Sequence, residues 1–121
     1  MRTFIFAFCI CSTSAVAQQS ARPNDQMLDV TTLAESLSGN TIEFFDTSLA
    51  SYFEDGRYEY RYRPDDFVWE GKYELRDGSM VCTTFSSGAE RCDMIVRAND
   101  RLVMIIENGD RYPVKSVKPI N

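Results

Sequence analysis

Turn-forming residues recur along this chain at intervals of about 9 to 12 residues from Asp46 onward, and that rhythm limits the fold more than any other feature. They are Asp46-Thr47, Asp55-Gly56, Pro64-Asp65-Asp66, Asp77-Gly78, Ser87-Gly88, Asn99-Asp100 and Asn108-Gly109. The intervening runs are short and rich in strand formers: Thr41 to Phe45, Leu49 to Phe53, Tyr58 to Arg63, Phe67 to Leu75, Met80 to Phe85, Cys92 to Ala98, Leu102 to Glu107 and Arg111 to Val117. Two of them alternate cleanly. Tyr58, Tyr60 and Tyr62 share one face against Arg57, Glu59, Arg61 and Arg63. Phe67, Trp69, Gly71, Tyr73 and Leu75 oppose Glu70, Lys72 and Glu74. A period of two with one apolar face marks a half-buried strand. Leu102 to Ile106 is apolar without interruption, which suggests cover on both sides. The expected fold is mainly β: an antiparallel meander of up to eight short strands. Closure removes exposed edges, so a small barrel or half-barrel is favoured over an open sheet crossed by a helix.

One short helix should precede the meander, over Thr32 to Asn40 or starting as early as Asp25. Thr32 and Glu35 have capping-box spacing, Leu33 and Leu37 share a face, and Gly39 supplies a left-handed exit. A helix this short does not persist alone in water. Its leucine face must lie on the sheet, with the apolar Leu102–Ile106 strand one candidate seat.

One hairpin register can be derived. If Phe85 pairs with Ala89 across Ser86-Ser87-Gly88, a three-residue loop ending in glycine, then three pairs further on Cys82 falls opposite Cys92. Turn chemistry and a Cys82–Cys92 disulfide thus predict the same register. The chain-entropy model values the bridge at roughly 2.5 to 3 kcal/mol.

The N-terminus reads as a secretory signal over residues 1–17. Arg2 is followed by an apolar run from Thr3 to Cys11, and then by Ala15 and Ala17 in front of Gln18, the expected first mature residue. The apolar run is about half of the roughly 20 residues that a spanning helix needs, so no stable membrane insertion is expected after cleavage. Residues 18–26 should be a flexible mature N-terminus and residues 27–121 a single β domain. Cys9 and Cys11 leave with the signal. The two remaining cysteines in an exported chain favour the bridge. The whole chain has net charge −5, and losing Arg2 makes the remainder more acidic. Nucleic-acid binding, which relies on clusters of Lys and Arg, is not expected. The expected location is the periplasm, or the exterior after secretion.

With no histidine in the chain, Ser-His-Asp and Cys-His catalysis are excluded, and two cysteines alone make a poor metal site. Neither a cofactor nor a metal is expected. Glu70 and Glu74, spaced along one strand face, are candidates in principle for a glycosidase pair, but the face they share with Lys72 is what a solvated outer face looks like. Tyr58, Tyr60, Tyr62, Trp69 and Tyr73 could stack on a sugar ring or an apolar ligand at an open barrel end; the alternative is that they form the core. Arg57, Arg61 and Arg63 could hold a carboxylate, or pair across strands with Glu70 or Glu74.

The order Leu37-Ser38-Gly39-Asn40-Thr41, then Trp69, Asp77-Gly78, Cys82 and Cys92 resembles small periplasmic proteins of Gram-negative bacteria from an uncharacterised-domain family. These share an L-x-G-N-T helix exit followed by W…DG…C…C. The resemblance implies a periplasmic location and a lipocalin-like β meander, and brings no catalytic residues. The function expected from all this is a non-enzymatic binding or interaction module. Its partner would be an envelope protein, a cell-wall fragment or a small apolar ligand. The alternatives are a carboxylate-dependent envelope hydrolase and a purely structural envelope protein.

Overall fold

The computed structural model describes residues 21–121. The signal segment, its cleavage residues Ala15, Ala17 and Gln18, and Cys9 and Cys11 lie outside the described residues. The described chain forms one short helix and nine strands: β1 (Gln26–Met27), α1 (Val30–Leu37), β2 (Asn40–Phe44), β3 (Leu49–Tyr52), β4 (Arg57–Arg61), β5 (Trp69–Arg76), β6 (Met80–Phe85), β7 (Glu90–Ala98), β8 (Arg101–Ile105) and β9 (Arg111–Pro119).

Strands β2 to β9 are the eight expected from the turn spacing. They pair antiparallel in sequence order, and β9 returns to pair with β2, which closes a barrel. Closure leaves none of the eight with a free edge along its whole length, so the backbone donors and acceptors of these short strands find partners inside the sheet. The Cys82–Cys92 disulfide forms in the derived register, Cys82 opposite Cys92. Its hairpin closes with the Phe85 amide donating to the Ala89 carbonyl at 2.8 Å, and with Gly88 at φ +89°. Both residues of the Asn99-Asp100 turn have positive φ, as a tight two-residue hairpin with matching twist requires.

Strand β1 is the element that the sequence reading missed. Of residues 18–26, expected to be flexible, the described part contains a hydrogen-bonded turn at Arg22–Asp25 and the start of this strand. Strand β6 stops at Met80, while β7 continues to Ala98. Gln26 and Met27 take the vacated edge, opposite Arg97 and Val96. Buried Ser79 fixes the junction: its Oγ donates to the Ile95 carbonyl and accepts from the Leu28 amide, both at 2.6 Å.

The helix starts earlier than the Thr32–Glu35 spacing implied. Asp29 is the N-cap and accepts from the Thr32 amide at 2.8 Å; Thr32 lies one turn inside and Glu35 is exposed. An aspartate at the cap outcompetes the threonine because its carboxylate also meets the positive end of the helix. At the exit, Gly39 has φ +79°, and its amide donates to the Tyr52 carbonyl at 2.7 Å, so the residue that ends the helix also begins the β2–β3 ladder.

The helix plugs one end of the barrel against β2 and β5. Leu33 and Leu37 are fully buried there, in a core with Leu28, Ile42, Ala50, Tyr52, Tyr58, Val81, Ile95, Met104 and Val114. At roughly 1.5 to 3 kcal/mol for each buried leucine, that contact holds the helix in place. Strand β8 is indeed buried on both faces, but α1 does not supply the outer cover. Leu102 and Met104 point inward, whereas Val103 and Ile105 join Met94 and Val96 in a second cluster outside β7–β8. Beside Ile105, on the same face, Arg111 makes a two-pronged bond to Asp25, at 2.7 and 2.8 Å, that ties the β1 segment to β9.

Candidate functional site

Plugging by α1 leaves the opposite end of the barrel as its mouth. The mouth is reached by the β2–β3, β4–β5, β6–β7 and β8–β9 connections, and strand alternation decides which side chains enter it. Antiparallel partners share a face. Tyr58 lies opposite Gly71, which lies opposite Phe85; Tyr60 lies opposite Trp69; Met104 lies opposite Tyr112.

The five aromatic residues marked as ligand-facing divide by depth. Tyr58 is buried core, its ring centroid 5.3 Å from that of Tyr52. Tyr73 sits at the helix end, 5.2 Å from Tyr52, and its hydroxyl donates to the Phe53 carbonyl at 2.7 Å. Tyr60 and Tyr62 line the mouth in an edge-to-face pair at 5.1 Å. Trp69 stands on the rim in a tilted contact with Phe67, their ring centroids 5.0 Å apart. Tyr58 and Tyr73 therefore belong to the core, Tyr60 and Tyr62 to the mouth and Trp69 to its edge. Burial falls along the chain from buried Tyr58 through half-buried Tyr60 to exposed Tyr62, so a residue two places along moves from packed interior to open end.

The cavity in the mouth has a volume of about 240 Å³ and is lined by Phe44, Asp46, Ser48, Tyr60, Tyr62, Arg91, Met104, Ile106 and Tyr112. Ser48 is buried; its amide and hydroxyl both donate to Asp46 Oδ1, so that oxygen is committed to the β2–β3 turn. Burial raises the Tyr60 hydroxyl above its usual range. Tyr52 and Tyr58, deeper in the barrel, are pushed up further by the same cause and stay neutral.

Arg91 and Asp93 are the functional residues that the reading of the sequence missed. They alternate with outward Cys92 on β7, so both point into the barrel. Arg91 Nε donates to Asp93 Oδ2 at 2.8 Å. The Asp93 side chain is 4% exposed and that of Arg91 is 40% exposed, so the pair runs from the core to the mouth. Asp93 Oδ1 is the one buried side-chain oxygen or nitrogen without a hydrogen-bond partner among the described residues. Burial pushes the Asp93 carboxyl above the usual carboxylate range, although Arg91 pulls the other way. Burial works against the Arg91 charge, yet Asp93 and Tyr58 beside it hold its pKa above the ordinary value.

The remaining candidates face solvent. Glu74 pairs with Arg76 at 2.9 Å on the outer surface, and Glu70 lies opposite Glu59 on the outside of β4–β5. Glu70 and Glu74 thus sit on the solvated outer face and do not flank the mouth. Arg57 lies opposite Lys72, and its ion pair is with Asp55 at 2.8 Å. Arg61 donates to the Pro64 carbonyl at 3.1 Å. The expected pairing of these arginines with Glu70 or Glu74 is replaced by these local bonds, because the register sets like charges opposite one another. Arg63 is exposed beside the β4–β5 turn.

Among the described residues, no three His, Cys, Asp or Glu side chains are grouped so as to hold a metal ion, and no helix is long and apolar enough to cross a membrane. Chemically, the mouth offers aromatic faces, phenolic hydroxyls and one guanidinium. Comparison of the chain with protein-family models, with curated proteins and with solved structures returns no match.

Proposed function

We propose that the protein is a non-enzymatic binding module of the periplasm, released by cleavage before Gln18, with the barrel mouth as its ligand end. In this reading it is a lipocalin-like member of the periplasmic family that its L-x-G-N-T and W…DG…C…C residues resemble. The observation that carries the reading is the cavity of about 240 Å³ at the open end of an otherwise filled barrel, walled by Tyr60, Tyr62 and Tyr112. Binding sites are concave, mostly apolar, and fitted with a few fixed polar groups. The space equals the share of about eight liquid waters, which suits one ring with a short arm. A lone small apolar molecule or one ring of a cell-wall fragment meets that limit. The Cys82–Cys92 bridge supports an oxidising compartment.

Trp69 is the only tryptophan, and it stands on the rim, so binding can be followed by its fluorescence. Titration of the oxidised protein with benzyl alcohol and with N-acetylglucosamine should change Trp69 emission and move the ring resonances of Tyr60, Tyr62 and Tyr112. Ligand effects confined to the outer surface, with the mouth tyrosines silent, would defeat the proposal. N-terminal sequencing of protein from a periplasmic extract should begin at Gln18; a chain retaining Met1 would remove the export half of it.

A further inference from the structure

Resting on the reading of the mouth as a binding end, we infer that its ligand is a small organic carboxylate held by Arg91. Three observations on separate residues converge on this. First, Arg91 is the only cation among the residues that line the cavity, and 40% of its side chain is exposed there. Second, its Nε donates to Asp93 Oδ2 and buried Tyr58 lies beside it, so the guanidinium is braced from the core side while two-fifths of the side chain remains exposed. A planar fork with a fixed back is the geometry that takes a carboxylate through two parallel bonds. Third, the other acid of the cavity is turned to its own turn: Asp46 Oδ1 accepts from the Ser48 amide and hydroxyl, and the ion pair of Arg91 is with Asp93.

The remaining wall fixes the rest of the ligand. Phe44, Met104 and Ile106 offer apolar surface, and the rings of Tyr60, Tyr62 and Tyr112 offer flat faces. A ring bearing one carboxylate satisfies both parts. A phosphate or sulfate would meet the same cation but leave the aromatic wall empty. A ligand cation would meet Arg91 as a like charge.

The probes are benzoate, benzyl alcohol, benzylammonium and inorganic phosphate, titrated into the full oxidised chain and followed by Trp69 emission and tyrosine resonances. Benzoate should bind at least tenfold more tightly than the other three. Arg91→Lys keeps the charge but loses the fork, and should weaken benzoate about tenfold while leaving benzyl alcohol unchanged. Removing Arg91 alone would strand Asp93, so the neutral test is Arg91→Gln combined with Asp93→Asn. That double variant should bind benzoate no better than benzyl alcohol. Benzyl alcohol or benzylammonium binding as well as benzoate would overturn the carboxylate inference and leave the binding mouth standing. Phosphate matching benzoate would reduce Arg91 to a general anion contact and overturn it too. If none of the four probes reaches the mouth, this inference fails, and the binding reading fails with it when N-acetylglucosamine is silent there too.

Discussion

Two buried carboxylates in this barrel respond to pH in opposite directions, and the difference is set by what each one touches. Asp25 receives both prongs of Arg111 and the Arg22 amide, and the Arg111 bond above all holds its carboxyl below the usual 3.8. The group is more acidic in the folded chain than in the unfolded one. Its contribution is therefore complete above about pH 5 and lost as pH falls through the folded value. Asp25→Asn should cost about 1.5 to 3 kcal/mol at pH 7, the range for a hydrogen bond to a charged group. Urea unfolding should show the gap to the parent shrinking below pH 4. Asp93 is raised by burial, so the same titration of Asp93→Asn should run the other way, with the parent gaining on the variant as pH falls toward 4. Gly71 makes a purely steric case. A Cβ there would lie 2.5 Å from the Thr84 carbonyl oxygen, with the Phe85 Cα 3.1 Å away. Both are backbone atoms that cannot swing aside. Gly71→Ala should lose about 3 kcal/mol in urea unfolding, the upper part of the overpacking range.

Among the elements, the β6–β7 hairpin was the most legible and β1 the least. Ser86-Ser87-Gly88 and the two cysteines each imply the same pairing, and both are local features. Reduction of the oxidised protein, or replacement of both cysteines by alanine, should lower stability by roughly 2.5 to 3 kcal/mol and leave the barrel spectrum intact. Equilibrium urea unfolding with and without reductant measures this. Thiol labelling of the unreduced, denatured chain should find no reactive Cys82 or Cys92. The same hairpin held an unread message. Once Cys82 and Cys92 are placed outside, Arg91 and Asp93 must lie inside with Ile95, so the two charged residues of the mouth were inferable from the disulfide register. A run of Arg, Cys and Asp carries no apolar pattern, so hydrophobic alternation does not reveal which of its faces turns inward. Strand β1 carries no signal at all. Two residues show no period, and their place is decided by where β6 stops.

For the whole molecule, closure by β9 pairing with β2 joins residues more than 70 positions apart, with Glu43 opposite Ser116 and a 3.2 Å bond between their side chains. The β1 segment adds a second long tie through Asp25 and Arg111. A chain shortened to begin at Asp29 loses Leu28, the two-residue strand and that ion pair. It should melt at least about 12 °C lower in a circular dichroism scan, because about 3 kcal/mol is lost from a domain of this size. The helix should remain, since Asp29 still caps it.

The eight barrel strands and their order, a short helix ahead of them and the sulfur bridge were written into the residues, because turns, alternation and caps act over only a few neighbours. The sequence could not say whether the sheet closes, which aromatic residues are core and which are mouth, or where Asp25 finds its cation. Those outcomes depend on distances between strands remote in the chain, and on which end of the barrel the helix fills, which exist only once every strand has found its neighbour.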